Sequence, residues 1–151
     1  MVLKEYEKKR KFSQTPEPEG KVKKLKSKRH IFVVHEHHAS HLHWDLRLEM
    51  SGVLKSWAIP KELPLKKDER RLAINVEDHP IEYAKFHGVI PKGNYGAGKV
   101  EIWDKGTYEL KNRDAKKIEI IFHGKKLKGL YVLVKTHYGS KPNKSWLFFK
   151  L

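Results

Sequence analysis

The sequence predicts an all-β fold, namely a compact closed β-barrel of about eight short strands with minor flanking helical turns and an N-terminal arm. From His30 onward, short runs of apolar residues, or of apolar and polar residues in alternation, recur between turn signals. Many short strands joined by close turns are typical of barrels and sandwiches, and the number of strands favours a barrel.

Each predicted strand corresponds to one of these runs. In chain order they span residues 31–35, 42–50, 53–59, 71–77, 100–103, 107–110, 118–122, 130–135 and 146–150. Ser51-Gly52 predicts a tight hairpin turn between the second and third strands, and Asp104-Lys105-Gly106 predicts another between the fifth and sixth. A short helical turn is expected at residues 81–86, directly after Pro80.

The composition limits the class of protein and the kind of partner. The chain has 151 residues, enough for one domain, and its 33 Lys and Arg against 18 Asp and Glu give a formal charge of +15. Such a charge attracts polyanions, and nucleic acid is the commonest partner, although an ordinary basic surface is the alternative. An acidic membrane is less favoured, because no strongly amphipathic basic helix is evident.

The location is expected to be cytoplasmic. No apolar run approaches the roughly 18 residues of a transmembrane helix, and the first residues are too charged for a secretory signal. The chain has no cysteine, which fits a reducing compartment. We expect a monomer.

Two parts of the chain differ in composition. Residues 1–29 are rich in lysine and are interrupted by Pro16, Pro18 and Gly20, which predicts a basic N-terminal arm. Tyr6 and Phe12 are aromatic residues inside this arm, and they indicate that part of it docks on the barrel of residues 30–151.

The most informative segment is the alternating strand at residues 42–50. Leu42, Trp44, Leu46, Leu48 and Met50 fall on one face, and the opposite face presents in order the residues His43, Asp45, Arg47 and Glu49. Five of the nine residues from 35 to 43 are histidine, and a short loop would let His37 fold back toward His43. Two imidazoles and a carboxylate suit manganese, iron or zinc, and a neighbouring arginine suits a phosphate. The segment therefore predicts a metal-assisted phosphate site.

Alternative interpretations of this segment remain open at the level of sequence. One polar strand face is often only a solvated surface, and His35, His38 and His41 need not bind metal. Two histidines and an aspartate also occur in iron oxygenases, so metal binding alone does not define the reaction.

Three other segments carry functional side chains. His79 precedes Pro80 and is therefore held extended, which suits a third metal ligand, a phosphate donor or a general acid. The loop at residues 90–98 contains three glycines, which let a backbone approach a phosphate closely but equally make a plain turn, and it lacks the spacing of a nucleotide-binding loop. Ser56, Lys61 and Arg71 supply a hydroxyl and two cations near the third and fourth strands.

Together these segments resemble a known family. The chain is similar to the 3′-phosphoesterase module that many bacteria carry at the amino end of ligase D, and that some bacteria and archaea make as a free-standing protein. The resemblance covers nearly the whole chain and includes His43-Trp44-Asp45-Leu46-Arg47 and Glu77-Asp78-His79-Pro80. The matching segments are residues 6–12, 15–18, 32–37, 42–49, 54–61, 76–83, 90–98 and 146–150.

The resemblance implies a manganese-dependent enzyme that repairs DNA 3′ ends, with Co²⁺ or Zn²⁺ as other metals suited to the site. Such an enzyme removes a 3′-terminal ribonucleoside and then hydrolyses the remaining 3′-phosphate to a hydroxyl. Its implied partners are primer-template ends and a DNA ligase, repair polymerase or end-binding protein. The matching positions are the metal ligands His37, His43 and Asp45; the phosphate-activating Arg47 and His79; the further active-site residues Tyr83 and Ser56; the phosphomonoesterase residues Lys61 and Arg71; and the diesterase residues Arg10, Glu17 and Glu77.

Three positions depart from the family pattern. Lys11 replaces the usual aspartate and His35 replaces a common glutamine, both at positions associated with the diesterase step. Trp44 replaces a tyrosine on the predicted core face. The alternative to an enzyme is a non-catalytic basic module that binds nucleic acid and recruits a repair ligase or polymerase.

Overall fold

The computed structural model describes residues 3–20, 30–137, 141 and 143–151. The helical elements are α1 (Lys4–Lys8) and a 3-10 helix (Ile81–Lys85). The strands are β1 (His30–His38), β2 (Leu42–Met50), β3 (Val53–Ile59), β4 (Arg70–His79), β5 (Gly88–Ile90), β6 (Gly98–Arg113), β7 (Lys117–His123), β8 (Lys128–Lys135) and β9 (Ser145–Lys150).

The sheet closes into a barrel. Its order is β1-β2-β3-β4-β9-β8-β7-β6-β5, and the additional pairing of β1 with β6 joins the two sides of the sheet. All pairings are antiparallel. The result, within the described residues, is a closed eight-stranded barrel to which β5 adds a further strand, and the predicted fold class is confirmed.

The barrel interior is filled by one face of each strand. From β2 it receives Trp44, Leu46, Leu48 and Met50, which join Phe32, Phe122, Tyr131 and Phe148 in one buried cluster. The alternation therefore predicted this face of β2 correctly, including Trp44. Leu42 is the exception, since it lies at the barrel end and is 44% exposed.

A second apolar layer covers the outside of the barrel wall. Tyr6 of α1 and Tyr83 of the 3-10 helix pack there with Val33, Leu54 and Phe86, and Phe12 contacts the same cluster. Tyr6 is fully buried, and its hydroxyl donates to the carbonyl of Pro18. The described part of the predicted arm, residues 3–20, thus lies against the barrel, while residues 21–29 of that arm fall outside the described residues.

The turn at Ser51-Gly52 is a two-residue hairpin, as predicted. Met50 pairs with Val53, and both central residues have positive φ, 53° for Ser51 and 83° for Gly52. These angles match the right-handed twist of the flanking strands. The predicted helical turn at 81–86 is confirmed as the 3-10 helix.

The hairpin predicted at Asp104-Lys105-Gly106 is wrong. Residues 100–103 and 107–110 belong to one strand, β6, which pairs with β1 through this segment. The buried Asp104 carboxylate accepts backbone N–H groups of Lys105 and of the β7–β8 loop, residues 125–127. Gly106 lies so close to the His123 carbonyl that a Cβ would overlap it. Asp104 therefore anchors the β7–β8 loop, and Gly106 lets β6 approach the backbone of His123 closely.

The remaining differences concern one short strand and the end of another. β5 was not predicted, because its three residues carry too little pattern, and β4 extends to His79 rather than ending at Glu77. Neither described helix has the length and apolar character needed to cross a lipid bilayer.

Candidate active site

The candidate site is a cavity on the outer wall of β1, β2, β3 and β4. Its volume is about 300 Å³. The polar face of β2 forms its floor, and α1, the loop after it, the 3-10 helix and the β5–β6 loop surround it. Functional side chains that line it are His37, His43, Asp45, Arg47, Glu77, His79, Tyr83 and Arg10.

Three of these side chains form a group suited to a metal ion. Donor atoms of His37, His43 and Asp45 all lie within 4.8 Å of one another. His37 Nδ1 lies 3.6 Å and His43 Nε2 lies 3.3 Å from the same oxygen, Asp45 Oδ2. Cross-strand pairing of His37 with His43 brings the two imidazoles together, as the sequence predicted.

The second nitrogen of each imidazole faces a backbone carbonyl. His37 Nε2 lies 2.6 Å from the oxygen of Gly96, and His43 Nδ1 lies 3.1 Å from the oxygen of His41. Both nitrogens must donate, so the nitrogens that face Asp45 can present lone pairs to a cation once it displaces any proton shared with Asp45. Metal-binding histidines typically have this arrangement, because the carbonyl fixes the tautomer and the ring orientation. The donor set therefore fits a divalent cation.

The charges in this group are strongly coupled. Burial alone would raise the pKa of the Asp45 carboxyl, but the Arg47 guanidinium and the two histidines lower it well below its ordinary value. Burial opposes a charge on His43, but the hydrogen bond and negative charge of Asp45 outweigh it and raise the pKa of His43. Asp45 is accordingly an anion in the folded protein.

Arg47 is fixed from three sides. Its Nε donates to His35 Nδ1 at 3.1 Å, its Nη1 donates to Ser56 Oγ at 2.9 Å, and its Nη2 lies 3.4 Å from Asp45 Oδ2. The Ser56 hydroxyl in turn donates a hydrogen bond to the carbonyl of Leu54. The predicted site residues Arg47 and Ser56 are thus in contact, and the guanidinium is oriented beside the metal-binding group.

His35 supports Arg47 from beneath. Its Nδ1 accepts from Arg47, so its Nε2 carries the proton and donates to the Phe86 carbonyl at 2.9 Å. Burial, and then the charge of Arg47, lower the pKa of His35 to about 3. A glutamine amide can make the same two hydrogen bonds, which accounts physically for histidine at this position.

The arm brings a second charged group to the cavity. Arg10 donates to Glu17 at 2.8 Å and to Glu77 at 3.3 Å, and it stacks on the Tyr6 ring with its Cζ 4.0 Å from the ring centroid. Lys9 also lies 3.3 Å from Glu77. The three residues predicted for the diesterase step, Arg10, Glu17 and Glu77, are therefore one network.

His79 joins this network to the floor. Its Nδ1 donates to the Glu77 carbonyl, and its Nε2 accepts from Arg10 at 3.2 Å. Burial, together with the charges of Arg47 and Arg10, lowers the pKa of His79 well below its ordinary value. His79 is therefore neutral, with its Nε2 lone pair directed at the Arg10 guanidinium.

Tyr83 closes the other side of the cavity. Its hydroxyl donates to Glu17 at 2.7 Å, and the Arg47 Cζ lies 4.9 Å from its ring centroid. Burial and the Glu17 charge raise the pKa of Tyr83 well above its ordinary value. The phenol therefore keeps its proton and serves as a hydrogen-bond donor.

An irregularity in β4 brings extra side chains to the site. Ser56 of β3 pairs with Val76, but Leu54 pairs with His79, so β4 has one residue more than its partner. Such a bulge interrupts the alternation of faces. As a result Val76, Glu77 and His79 all line the cavity.

Two predicted phosphate-binding residues lie elsewhere. Lys61 is exposed, and Arg71 donates to the Glu62 carbonyl and to Glu69; neither lines the cavity. Lys11 is likewise exposed and outside the lining. The structure thus groups the other ten predicted site residues but not Lys61 and Arg71.

Sequence reasoning missed two residues at the rim. Tyr95 lines the cavity, and Lys9 Nζ lies 3.5 Å from its hydroxyl. The signal available in the sequence is an aromatic residue inside the glycine-rich loop at 90–98.

The chain is similar to known proteins over most of its length. Residues 35–135 match the family model described as the DNA ligase D 3′-phosphoesterase domain. The multifunctional non-homologous end joining protein LigD of Mycolicibacterium smegmatis is 47% identical over 157 residues, covering 97% of this chain and 20% of that protein. The corresponding proteins of Mycobacterium tuberculosis H37Rv and Pseudomonas aeruginosa are 48% and 42% identical, covering 89% and 98% of this chain.

The chain spans about a fifth of the length of these relatives, as shown by coverages of 20%, 18% and 18%. Within that part, both the identity and the family match include the strands that carry the cavity floor. The chain therefore belongs to the DNA ligase D 3′-phosphoesterase domain family.

Proposed function

We propose that this protein is a metal-dependent phosphoesterase that repairs nucleic-acid 3′ ends. It removes a 3′-terminal ribonucleoside as a phosphodiesterase and hydrolyses the resulting 3′-phosphate as a phosphomonoesterase. Manganese is the proposed cofactor, and Co²⁺ or Zn²⁺ also suit two imidazoles and a carboxylate.

The arrangement of His37, His43 and Asp45 beside Arg47 is the observation that carries this proposal. The Arg47 Nη2 lies only 3.4 Å from the Asp45 oxygen that both histidines approach. A phosphate bound to a cation in this group would therefore meet the guanidinium as well. A surface that only attracts DNA does not require such a buried convergence of ligands.

His37, His43 and Asp45 would hold the ion, which would supply positive charge against the negative charge that develops on phosphate oxygens during hydrolysis. Arg47 would bind a second phosphate oxygen through N–H groups not used by His35 or Ser56. Tyr83 donates its single hydroxyl proton to Glu17, and its ring packs beside the Arg47 guanidinium, so it would hold both groups in place around the phosphate.

His79 would act next to the scissile phosphate as a proton acceptor or, once charged, as a donor. Its Nε2 lone pair now accepts from Arg10. A phosphate dianion in the cavity would favour a charged imidazole, because it adds negative charge where Arg10 and Arg47 now disfavour protonation. His79 can thereby take or return a proton at the phosphate ester.

The network of Arg10, Glu17 and Glu77 is proposed to serve the diesterase step, in which a nucleoside must be accommodated beyond the phosphate. Lys61 and Arg71, outside the cavity lining, are proposed to contact the strand or its terminal phosphate and to affect mainly the monoesterase step.

The pathway we propose is DNA end joining. The relatives are named as multifunctional non-homologous end joining proteins. By analogy, a DNA ligase, a repair polymerase or an end-binding protein would use the 3′-hydroxyl produced here, and the substrate would be a primer-template end in the cytoplasm. The formal charge of +15 supports a nucleic-acid substrate.

Hydrolysis of two primer-templates tests the proposal. One ends in a single ribonucleotide and the other in a 3′-phosphate, and each is incubated with manganese and with either the wild type or His43→Ala. We expect conversion of both by the wild type and of neither by the variant. Tight DNA binding without any conversion by the wild type would contradict the proposal and support the non-catalytic module.

A further inference from the structure

Tyr95 is an exposed aromatic residue at the rim of an otherwise buried site. Its side chain is 48% exposed, whereas His37, Asp45, Arg47 and His79 are each at most 8% exposed. Among the large hydrophobic residues described as exposed, Tyr95 lines the cavity and the other five do not.

The position of Tyr95 is fixed relative to the metal-binding group. The loop between β5 and β6 turns through Gly93 and Gly96, with φ of 88° and 73°. The carbonyl of Gly96, the next residue after Tyr95, accepts the His37 Nε2–H at 2.6 Å. A methyl group at Gly96 would lie 3.4 Å from His37 Cε1, so the loop lies directly on the imidazole. Tyr95 is therefore at a set distance from the proposed phosphate position.

The cavity has two chemically different parts. The floor presents the histidines, Asp45 and Arg47, whereas Ala39, Ile90 and Val100 line it on the side of the β5–β6 loop. Lys9 Nζ lies 4.8 Å from the Tyr95 ring centroid, and Arg10 Cζ lies 5.4 Å from it. An aromatic ring with apolar neighbours and adjacent cations is the combination that binds unpaired bases attached to a phosphate backbone.

We propose that Tyr95 stacks on the base of the 3′-terminal nucleoside and so determines how well the enzyme accepts an end that carries one. The inference depends on the proposed function, since it places the terminal phosphodiester on the His37, His43 and Asp45 group. The base then lies beyond that phosphate, on the rim. Tyr95 is a specificity-determining residue in this scheme and takes no part in proton transfer.

The two steps should depend on Tyr95 differently. The terminal nucleoside is present during the diesterase step and is absent once a 3′-phosphate remains. Stacking on an aromatic side chain typically changes affinity by about 5- to 150-fold per base. Tyr95→Ala should therefore raise KM for ribonucleoside removal by about tenfold and raise KM for 3′-phosphate hydrolysis much less.

Fluorescence provides a test that needs no turnover. A primer-template with a 3′-terminal 2-aminopurine riboside is titrated with protein, because stacking quenches the fluorescence of this base. No divalent metal is added, so that the substrate is not turned over. The wild type and Tyr95→Phe should quench it, and Tyr95→Ala should not. Leu110→Ala, which removes an exposed apolar side chain outside the cavity, is the matched control and should behave like the wild type.

Turnover then separates stacking from a structural role of the loop. We expect the wild type to remove terminal adenosine more efficiently than uridine, and Tyr95→Ala to lose this preference. An equal loss of both hydrolytic steps, a Tyr95→Phe defect as large as that of Tyr95→Ala, or quenching that persists in Tyr95→Ala would each overturn the inference. Wild-type protein that converts neither substrate would instead overturn the proposed function, while the quenching result would still decide the role of Tyr95.

Discussion

Arg47 shows how single residues prepare this site before any substrate arrives. The residue is only 4% exposed. Its guanidinium contacts His35 of β1, Ser56 of β3 and Asp45 of β2. Each contact uses a different nitrogen. The side chain therefore has one orientation, and little conformational entropy remains to be lost when a phosphate binds.

Replacing Arg47 with lysine should strongly reduce phosphate hydrolysis although the positive charge is kept. A single ammonium group cannot reach His35, Ser56 and a phosphate together, because it lacks the planar fork of the guanidinium. We expect kcat/KM for 3′-phosphate hydrolysis to fall by about 100-fold or more, equivalent to roughly 3 kcal/mol. Arg113→Lys, on the exposed end of β6, is the control and should retain activity. Near-normal turnover by Arg47→Lys would contradict the proposed phosphate contact.

His35 predicts a specific dependence on the replacement chosen. Glutamine can accept from Arg47 and donate to the Phe86 carbonyl, so His35→Gln should retain activity. Leucine satisfies neither group, and His35→Leu should lower the free energy of unfolding by about 2–4 kcal/mol and reduce turnover. Urea unfolding and 3′-phosphate hydrolysis of the two variants check this, and equal behaviour of glutamine and leucine would contradict it.

The same residue predicts a pH effect on stability. Because the pKa of His35 is about 3 in the folded protein and near 6.5 when unfolded, the unfolded chain binds more protons between these values. The stability that neutral His35 contributes is complete above pH 6.5 and declines as pH falls toward 3. At pH 5, His35→Gln should therefore exceed the wild type by about 2 kcal/mol more than it does at pH 7.5. Urea titrations at both pH values measure this difference, and an unchanged difference would contradict a neutral His35.

At the scale of elements, the start of β6 depends on a close approach of two backbones. Gly98 has φ of 135°, and a Cβ there would overlap the carbonyl oxygen of His38. We expect Gly98→Ala to lower the free energy of unfolding by about 3 kcal/mol or more. An alanine there would have a strained backbone conformation, and its methyl group would overlap a carbonyl oxygen. Gly93 has a φ of 88° but nothing within 4 Å, so Gly93→Ala should lose only about 1 kcal/mol. Similar losses in thermal unfolding would show that steric overlap is unimportant at Gly98.

The elements also show where sequence reasoning succeeded. β2, β3 and their hairpin could be predicted to the residue, because alternation and the Ser51-Gly52 turn act locally. Asp104 and Gly106 are residue types that are common in turns. Here, however, Asp104 accepts N–H groups of the loop at 125–127, which is remote in sequence. Local pattern cannot distinguish these two uses of aspartate and glycine.

The site was predictable to a similar extent. Cross-strand pairing of His37 with His43 follows from a short loop between two strands, and the polar face of β2 follows from period two. The contacts of Arg10 with Glu77 and His79 join residues 67 and 69 positions apart, and no spacing rule indicates them. The bulge in β4, which brings Val76 to the same cavity as Glu77, also depends on pairing with β3.

At the scale of the whole molecule, one barrel wall separates two layers. The interior cluster stabilises the barrel, and the outer layer of α1, the 3-10 helix and the β5–β6 loop encloses the site. Because the donor atoms of His37, His43 and Asp45 come together only in the folded chain, an ion bound there would stabilise the whole protein through mass action.

Manganese should therefore raise the unfolding temperature of the wild type. At a free concentration a hundred times its Kd, the expected stabilisation is about 2.7 kcal/mol. His43→Ala should lose most of this effect, and His123→Ala, which removes an exposed histidine of β7, should keep it. Thermal unfolding with and without manganese measures the shift, and an equal shift in His43→Ala would place the binding elsewhere.

The shared wall of β2 has a consequence for fidelity of folding. Trp44, Leu46 and Leu48 face the interior, and His43, Asp45 and Arg47 face the cavity, on the same nine-residue strand. A slip of one residue in pairing would place a carboxylate and a guanidinium inside the barrel and an indole in the cavity. A chain with this mispairing would lose both the apolar packing of the barrel interior and the grouping of polar side chains in the cavity. A misregistered chain would therefore be unstable as well as inactive, so the packing of the barrel interior also selects the alignment of the proposed site residues.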